Sequence, residues 1–236
     1  MQNINEEYKF LTKNHKGGRL DDGRTVRLSP EHWMLEMDQA QMYITPLTRP
    51  AEFRILDFDI MEEELGKITT LEHEFMPALV FGFLIHNRHK EFFMNLEQDD
   101  IVLHKAIIIG EREDEEDSIF EGYWLLASPH RPLDWVDIEK SKVYLKSDEI
   151  VLGESDSSKI DSLLSVELKE SVSDIEQEQR MIFDICSVNG ASAHTYLGYP
   201  LVHNSIVEYI QANDKTKQLL FLTTEQVHKK PGSLFN

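Results

Sequence analysis

The sequence predicts an α+β protein: mixed, mostly antiparallel sheet with short helices. Three observations point there. Apolar or alternating stretches of strand length recur along the chain, separated by turn residues. The helical patterns between them are brief. One unit also occurs twice, as LIHNRHKEFF (Leu84 to Phe93) and LVHNSIVEYI (Leu201 to Ile210). Both copies carry Leu, an aliphatic residue and His-Asn, then Glu, an aromatic and a bulky apolar residue in the same register.

The first fifty residues are β-rich and turn-rich. Asp22-Gly23 signals a tight turn, and TVRL (Thr25 to Leu28) alternates as a strand does. QMYITP (Gln41 to Pro46) and EFRILDF (Glu52 to Phe58) are further strands, with a loop from Pro46 to Pro50. Residues 1–58 form a β-rich region, a candidate subdomain, ahead of an α+β domain over 59–236. Asp59 to Phe75 begins with acids, which suits a helix N-terminus. ALVFGFLI (Ala78 to Ile85) has the continuous apolar character of a buried strand, and His86-Asn87 ends it.

Asn87 is expected to cap the short helix that follows, because an Asn side chain accepts from the orphaned amides of a first turn. IVLHKAIII (Ile101 to Ile109) and GYWLLAS (Gly122 to Ser128) are strands. VYL (Val143 to Leu145), EIVL (Glu149 to Leu152) and MIFDICSV (Met181 to Val188) follow, while IDSLLSV (Ile160 to Val166) suits either strand or helix. In the second copy of the repeat Asn204 takes the place of Asn87, and QLLFLTT (Gln218 to Thr224) is the closing strand. The repeat is thus an Asn-capped helix followed by a strand, a packing unit used twice rather than a duplicated active site.

Charge narrows the function. The net charge is −19, and residues 51–200 hold 33 Asp/Glu against 13 Lys/Arg. Such a field opposes phosphate backbones, so no nucleic-acid partner is expected, and it speeds encounter with a basic one. No apolar run has the length of a membrane span, and MQNINEEYKF lacks the basic and apolar regions of a secretory signal. With Cys186 as the single cysteine, a reducing, cytoplasmic setting is expected.

Catalytic motifs are missing: the chain has no HExxH, CxxC, GxSxG, P-loop or GxGxxG. His86 and His89 stand at a spacing that metal ligands use, with Glu91 nearby, and support an alternative reading as a metal-dependent hydrolase. The second copy has Ile206 in place of His89, so the spacing is not repeated. Asp161 with Glu167-Leu168-Lys169 is a loose nuclease-like set on a charged chain. His203 and Ser205 lack an acid placed to orient the histidine. The expectation is therefore a protein without enzymatic activity and without a cofactor.

EREDEEDS (Glu111 to Ser118) differs from these. Six of its first seven residues are carboxylates, and it joins two apolar stretches, as a protruding hairpin loop does. Glu113, Asp114, Glu115, Glu116 and Asp117 can enter a basic cleft and pair with Arg and Lys there. A second acidic cluster, Asp57, Asp59, Glu62, Glu63 and Glu64, lacks the ligand spacing of a calcium loop and is a secondary contact candidate. In HRPLDWVDIEKS (His130 to Ser141), Trp135 is core-like, with Asp134 and Asp137 in turns.

The order YWLLAS, LDWVDIEKS, an apolar stretch, MIFDIC, LVHNSIVEYI and QLLFLT resembles bacterial immunity proteins of polymorphic toxin systems, immunity families eleven and forty-three, over roughly residues 78–224. Val136-Asp137 with Ser141, Ile182-Phe183, and Leu201 to Ile210 with Phe221 carry the likeness. Asp184 stands where a basic residue is common in that group, and Asn204 where Ser is common. The resemblance implies a cytoplasmic antitoxin that binds a cognate protein toxin and performs no chemistry. An adaptor subunit of a bacterial assembly is the other non-enzymatic reading.

Overall fold

The computed structural model describes residues 4–13, 26–36, 46–78, 83–96, 101–113, 115–127, 135–156, 159–169, 181–182, 201–216 and 219–226. In chain order the elements are α1 (Ile4–Glu7), β1 (Tyr8–Lys13), β2 (Leu28–Pro30), α2 (His32–Glu36), β3 (Ala51–Ile55), α3 (Phe58–Leu65), β4 (Phe75–Pro77) and β5 (Phe83–His86). A 3-10 turn (Asn87–His89) leads into α4 (Lys90–Met94), then β6 (Val102–Gly110), β7 (Ser118–Ala127), β8 (Lys142–Leu145), β9 (Ile150–Leu152) and β10 (Ile160–Ser165). β11 (Met181–Ile182), β12 (Leu201–His203), α5 (Asn204–Asn213) and β13 (Leu219–Leu222) complete the set. The fold is α+β with mostly antiparallel sheet and few short helices, as the sequence predicts.

Two compact units share these elements. Unit A holds residues 13–129 and 209–220; unit B holds 1–12, 130–208 and 221–236. The chain therefore does not divide at residue 58. β3 pairs in parallel with β6, Ala51 opposite Ala106, which ties residues on both sides of that boundary into one sheet. The strand expected over Gln41 to Pro46 lies outside the described residues apart from Pro46, as do most of Met181 to Val188 and the C-terminal ten residues.

Unit A is one six-stranded sheet in the order β2-β3-β6-β7-β5-β4, antiparallel at every step but β3–β6. β3 shows why it forms: Ala51, Phe53 and Ile55 alternate inward while Glu52 and Arg54 point away, the period-two pattern of a half-buried strand. Phe53, Ile108, Leu84, Leu125 and Met76 belong to one core with Phe58 and Met61 of α3. Gly110 ends β6 directly against α3. A Cβ there would lie 2.6 Å from the Phe58 ring, so only glycine lets that ring pack at the base of the acidic loop.

Unit B contains a four-stranded sheet, β11-β12-β1-β13, and a three-stranded sheet, β10-β8-β9. Of residues 160–166, open between strand and helix in the sequence, Ile160–Ser165 pair as β10 with β8. Trp135, Val136, Val143, Leu163 and Leu168 pack with Tyr8, Phe10 and Leu201 in its core. The segment carrying Val136-Asp137 and Ser141 is a packing device. The buried Ser141 hydroxyl donates to the Asp137 carbonyl (2.7 Å) and accepts from the Glu167 amide (3.0 Å), fastening the turn.

Gly153 closes the same corner, its amide bonded to the Ser141 carbonyl. Its φ is +74°, and a Cβ would sit 2.2 Å from the Glu139 carbonyl oxygen. Gly153→Ala is expected to lower stability by about 2 kcal/mol, read as a shift in the urea midpoint with unchanged slope. An unshifted midpoint would show that the corner relaxes freely.

The helix-then-strand repeat is present in both copies, but the cap is the histidine, not the asparagine. His86 Nδ1 accepts from the Arg88 amide, and His203 Nδ1 accepts from the Ser205 amide (3.2 Å). Each Asn is engaged elsewhere. Asn87 Oδ1 accepts from the Trp124 indole (2.8 Å), and Asn204 Nδ2 donates to the Glu6 carbonyl (2.6 Å). A histidine caps in this way only while Nδ1 is unprotonated, and burial lowers the pKa of both rings.

Candidate protein-interaction site

The acidic loop and the acidic helix are one site, joined by the single cation inside the loop. Arg112 is nine-tenths buried, its guanidinium 5.8 Å from the centroid of the Phe58 ring. Its Nη2 meets Glu62 of α3 at 2.9 Å, and its Nη1 meets Glu115 of the loop at 2.7 Å. Arg112 Nε is buried with no hydrogen-bond partner among the described residues, so the side chain is held by its two terminal nitrogens. Planar, multiply donating guanidinium suits this bridging role better than an ammonium does.

A second cation fixes the ends of the loop. Arg54 pairs with Glu31, with Glu111 (3.3 Å) and with Asp117 (3.7 Å), and the hydrogen bond to Glu31 raises its pKa. Lys67 lies 3.8 Å from Glu115. Beside the loop is a cleft of about 610 Å³ lined by Lys67, Ile68, Thr69, Arg112, Glu116 and Phe120 among others.

The predicted contact residues therefore fall into groups. Glu62 and Glu115 serve Arg112, Asp117 serves Arg54, and Asp57 pairs with Arg27. Those four hold the site together. Glu113, Glu116, Asp59 and Glu63 are exposed and have no ion pair among the described residues. They are the carboxylates presented to solvent. Asp114 lies outside the described residues, as does the side chain of Glu64. The supporting cations were invisible in the sequence as partners, because Arg54 precedes the loop by more than fifty positions; Arg112, inside the acidic run, was the one available signal.

The histidines of the hydrolase alternative are committed to packing. His89 is buried, with Nε2 bonded to Glu74 (2.8 Å) and Nδ1 to the Tyr209 hydroxyl (2.9 Å), so neither ring nitrogen is left for a metal. Its ring stacks on Phe75 at 4.5 Å. His86 Nδ1 accepts from Arg88, and Glu91 is exposed. Among the described residues no group of His, Cys, Asp and Glu is arranged to hold a metal ion. His203 Nδ1 lies 2.8 Å from the Ser205 hydroxyl, a capping arrangement at the start of α5.

No helix of the described residues is long and apolar enough to cross a membrane. The chain matches no family model, and no curated protein shows significant similarity to it.

Proposed function

We propose that this is an immunity protein that binds and neutralises a cognate bacterial toxin in the cytoplasm, acting as a binder and not as a catalyst. The observation that supports this most is the anchoring of two acidic segments through Arg112, which leaves Glu113, Glu116, Asp59 and Glu63 free to meet a basic surface. Preorganised carboxylates lower the ordering cost of association and steer a cationic partner in. The partner is a protein with a basic patch; the net charge of −19 disfavours nucleic acid.

The test is co-purification with the product of the neighbouring gene, followed by rescue of cells that express that product. A complex that weakens with salt and restores growth supports the proposal. No complex and no rescue would remove it. Within the complex, Glu113→Lys with Glu116→Lys is expected to slow association by about tenfold at low salt, with little change in melting temperature. Association at the unaltered rate would take the loop out of the interface.

A further inference from the structure

The two units are built alike beyond the sequence repeat. Read position by position, unit B's sheet β11-β12-β1-β13 corresponds to β4-β5-β7-β6 of unit A. β12 leads into α5 as β5 leads into α4, and β13 and β6 follow their helices. The strands beside the repeated histidines also correspond. In unit A, Tyr123, Trp124 and Leu125 oppose His86, Ile85 and Leu84. In unit B, Tyr8, Lys9 and Phe10 oppose His203, Val202 and Leu201.

Each tyrosine meets its histidine edge-on, at 5.4 Å and 88° in one case and 5.3 Å and 79° in the other. The sequences agree: Glu6-Glu7-Tyr8-Lys9-Phe10-Leu11 against Glu121-Gly122-Tyr123-Trp124-Leu125-Leu126. Tyr8 and Tyr123 stand 115 positions apart, His86 and His203 117 apart. The chain order is therefore Tyr strand, unit A, Tyr strand, unit B. Each Tyr strand closes the sheet of the other repeat.

We propose that the chain is an internal duplication whose repeats have exchanged their first strands, and that unit B carries a strand-acceptor slot between β12 and β13 into which the β1 strand of a second copy can insert. The two closures differ in attachment. β7 is joined to its sheet neighbour β6 by the short acidic loop, whereas the sequence after β1 continues into unit A and not into a strand of the sheet that β1 completes. When β1 leaves, two strands lose their hydrogen-bonding partner at once, and the sites of the buried Tyr8, Phe10 and Leu11 empty. An open slot of this kind binds an extended segment through main-chain bonds, with alternate side chains setting the choice. A second copy supplies the same residues in the same register, so reciprocal exchange restores every contact without creating a new one. The inference does not depend on the proposed function.

The experiment uses full-length chains with a protease site introduced between residues 13 and 26, one batch isotopically heavy and one light. The batches are mixed at high concentration in mild urea, returned to buffer and examined by native mass spectrometry before and after cutting. The expected result is a mixed dimer that cutting converts to monomers. Every monomer released from the mixed dimer carries a β1 segment of the other isotope, which is about half of all released monomers when equal batches pair at random. A dimer that survives cutting, or monomers that all keep their own β1 segment, would overturn the exchange. Loss of the cut segment with unchanged amide protection in β12 would overturn the slot. A synthetic peptide of residues 119–127 is expected to displace the cut β1 segment. If it does no better than a scrambled peptide, the correspondence of β1 with β7 fails.

Discussion

Glu74→Ala is expected to destabilise unit A by about 3 kcal/mol, the loss expected when a buried polar network is left without its acceptor. Glu74 is 4% exposed, and its two oxygens take different partners: Arg88 Nη1 at 2.7 Å and His89 Nε2 at 2.8 Å. A carboxylate can only accept, so Nε2 carries the proton and Nδ1 accepts from the Tyr209 hydroxyl. Removing Glu74 leaves the buried His89 Nε2–H without an acceptor and opens space beside Phe75, whose ring packs on His89, Phe83 and Phe93. Arg88 is half exposed and loses little, because water replaces the carboxylate. Glu74→Gln keeps an acceptor in the same place and is expected to cost less than half as much. Urea unfolding of the two variants separates the outcomes, and equal losses would show that packing, not the hydrogen bond, is what Glu74 contributes.

The same network shows what the sequence could and could not announce. The repeat was legible because its apolar spacing is local, and Phe93, Ile206 and Ile210 are buried as a helix face facing a core should be. The capping residue was not legible. Asn has the better intrinsic preference for a cap, but Trp124 and the Glu6 carbonyl take the two asparagines, and those partners lie 37 and 198 positions away. Spacing alone left a metal site at His86 and His89 open as an alternative; the partners of His89, Glu74 and Tyr209, stand 15 and 120 positions off in the chain.

Unit boundaries failed for a related reason. The β3–β6 pairing and the closure of unit B by β1 are non-local, and no linker composition marks them. The exchange did leave a trace, the likeness of EEYKFLTK to EGYWLLAS, but three identities in eight residues carry weight only once both are seen opposite a repeated histidine. For the interaction site, composition located the acidic loop, while which carboxylates are spent on Arg54 and Arg112 is a matter of tertiary geometry.

Acid is expected to weaken the fold well before carboxylate protonation is complete, and His73 is the reason. It is 3% exposed, neither ring nitrogen has a hydrogen-bond partner among the described residues, and burial lowers its pKa from 6.5 to about 4. Above pH 6.5 the ring is neutral in both folded and unfolded chains and costs nothing electrostatically. Between pH 6.5 and about 4 the unfolded chain binds a proton that the folded one refuses, so stability falls as pH falls; below that window the difference is constant. The loss reaches about 2 kcal/mol at pH 5 and about 3 kcal/mol at pH 4. Burial depresses His86, His89 and His203 in the same direction, so wild-type protein carries their smaller contributions as well. His73→Leu isolates the one residue. A leucine of similar volume has no nitrogen to leave unpaired, so the variant is expected to match or exceed wild-type stability at pH 7.5 and to lose much less between pH 7 and 5. Parallel urea titrations of both proteins across that range decide it, because a variant whose stability falls as steeply as wild type would place the acid sensitivity elsewhere.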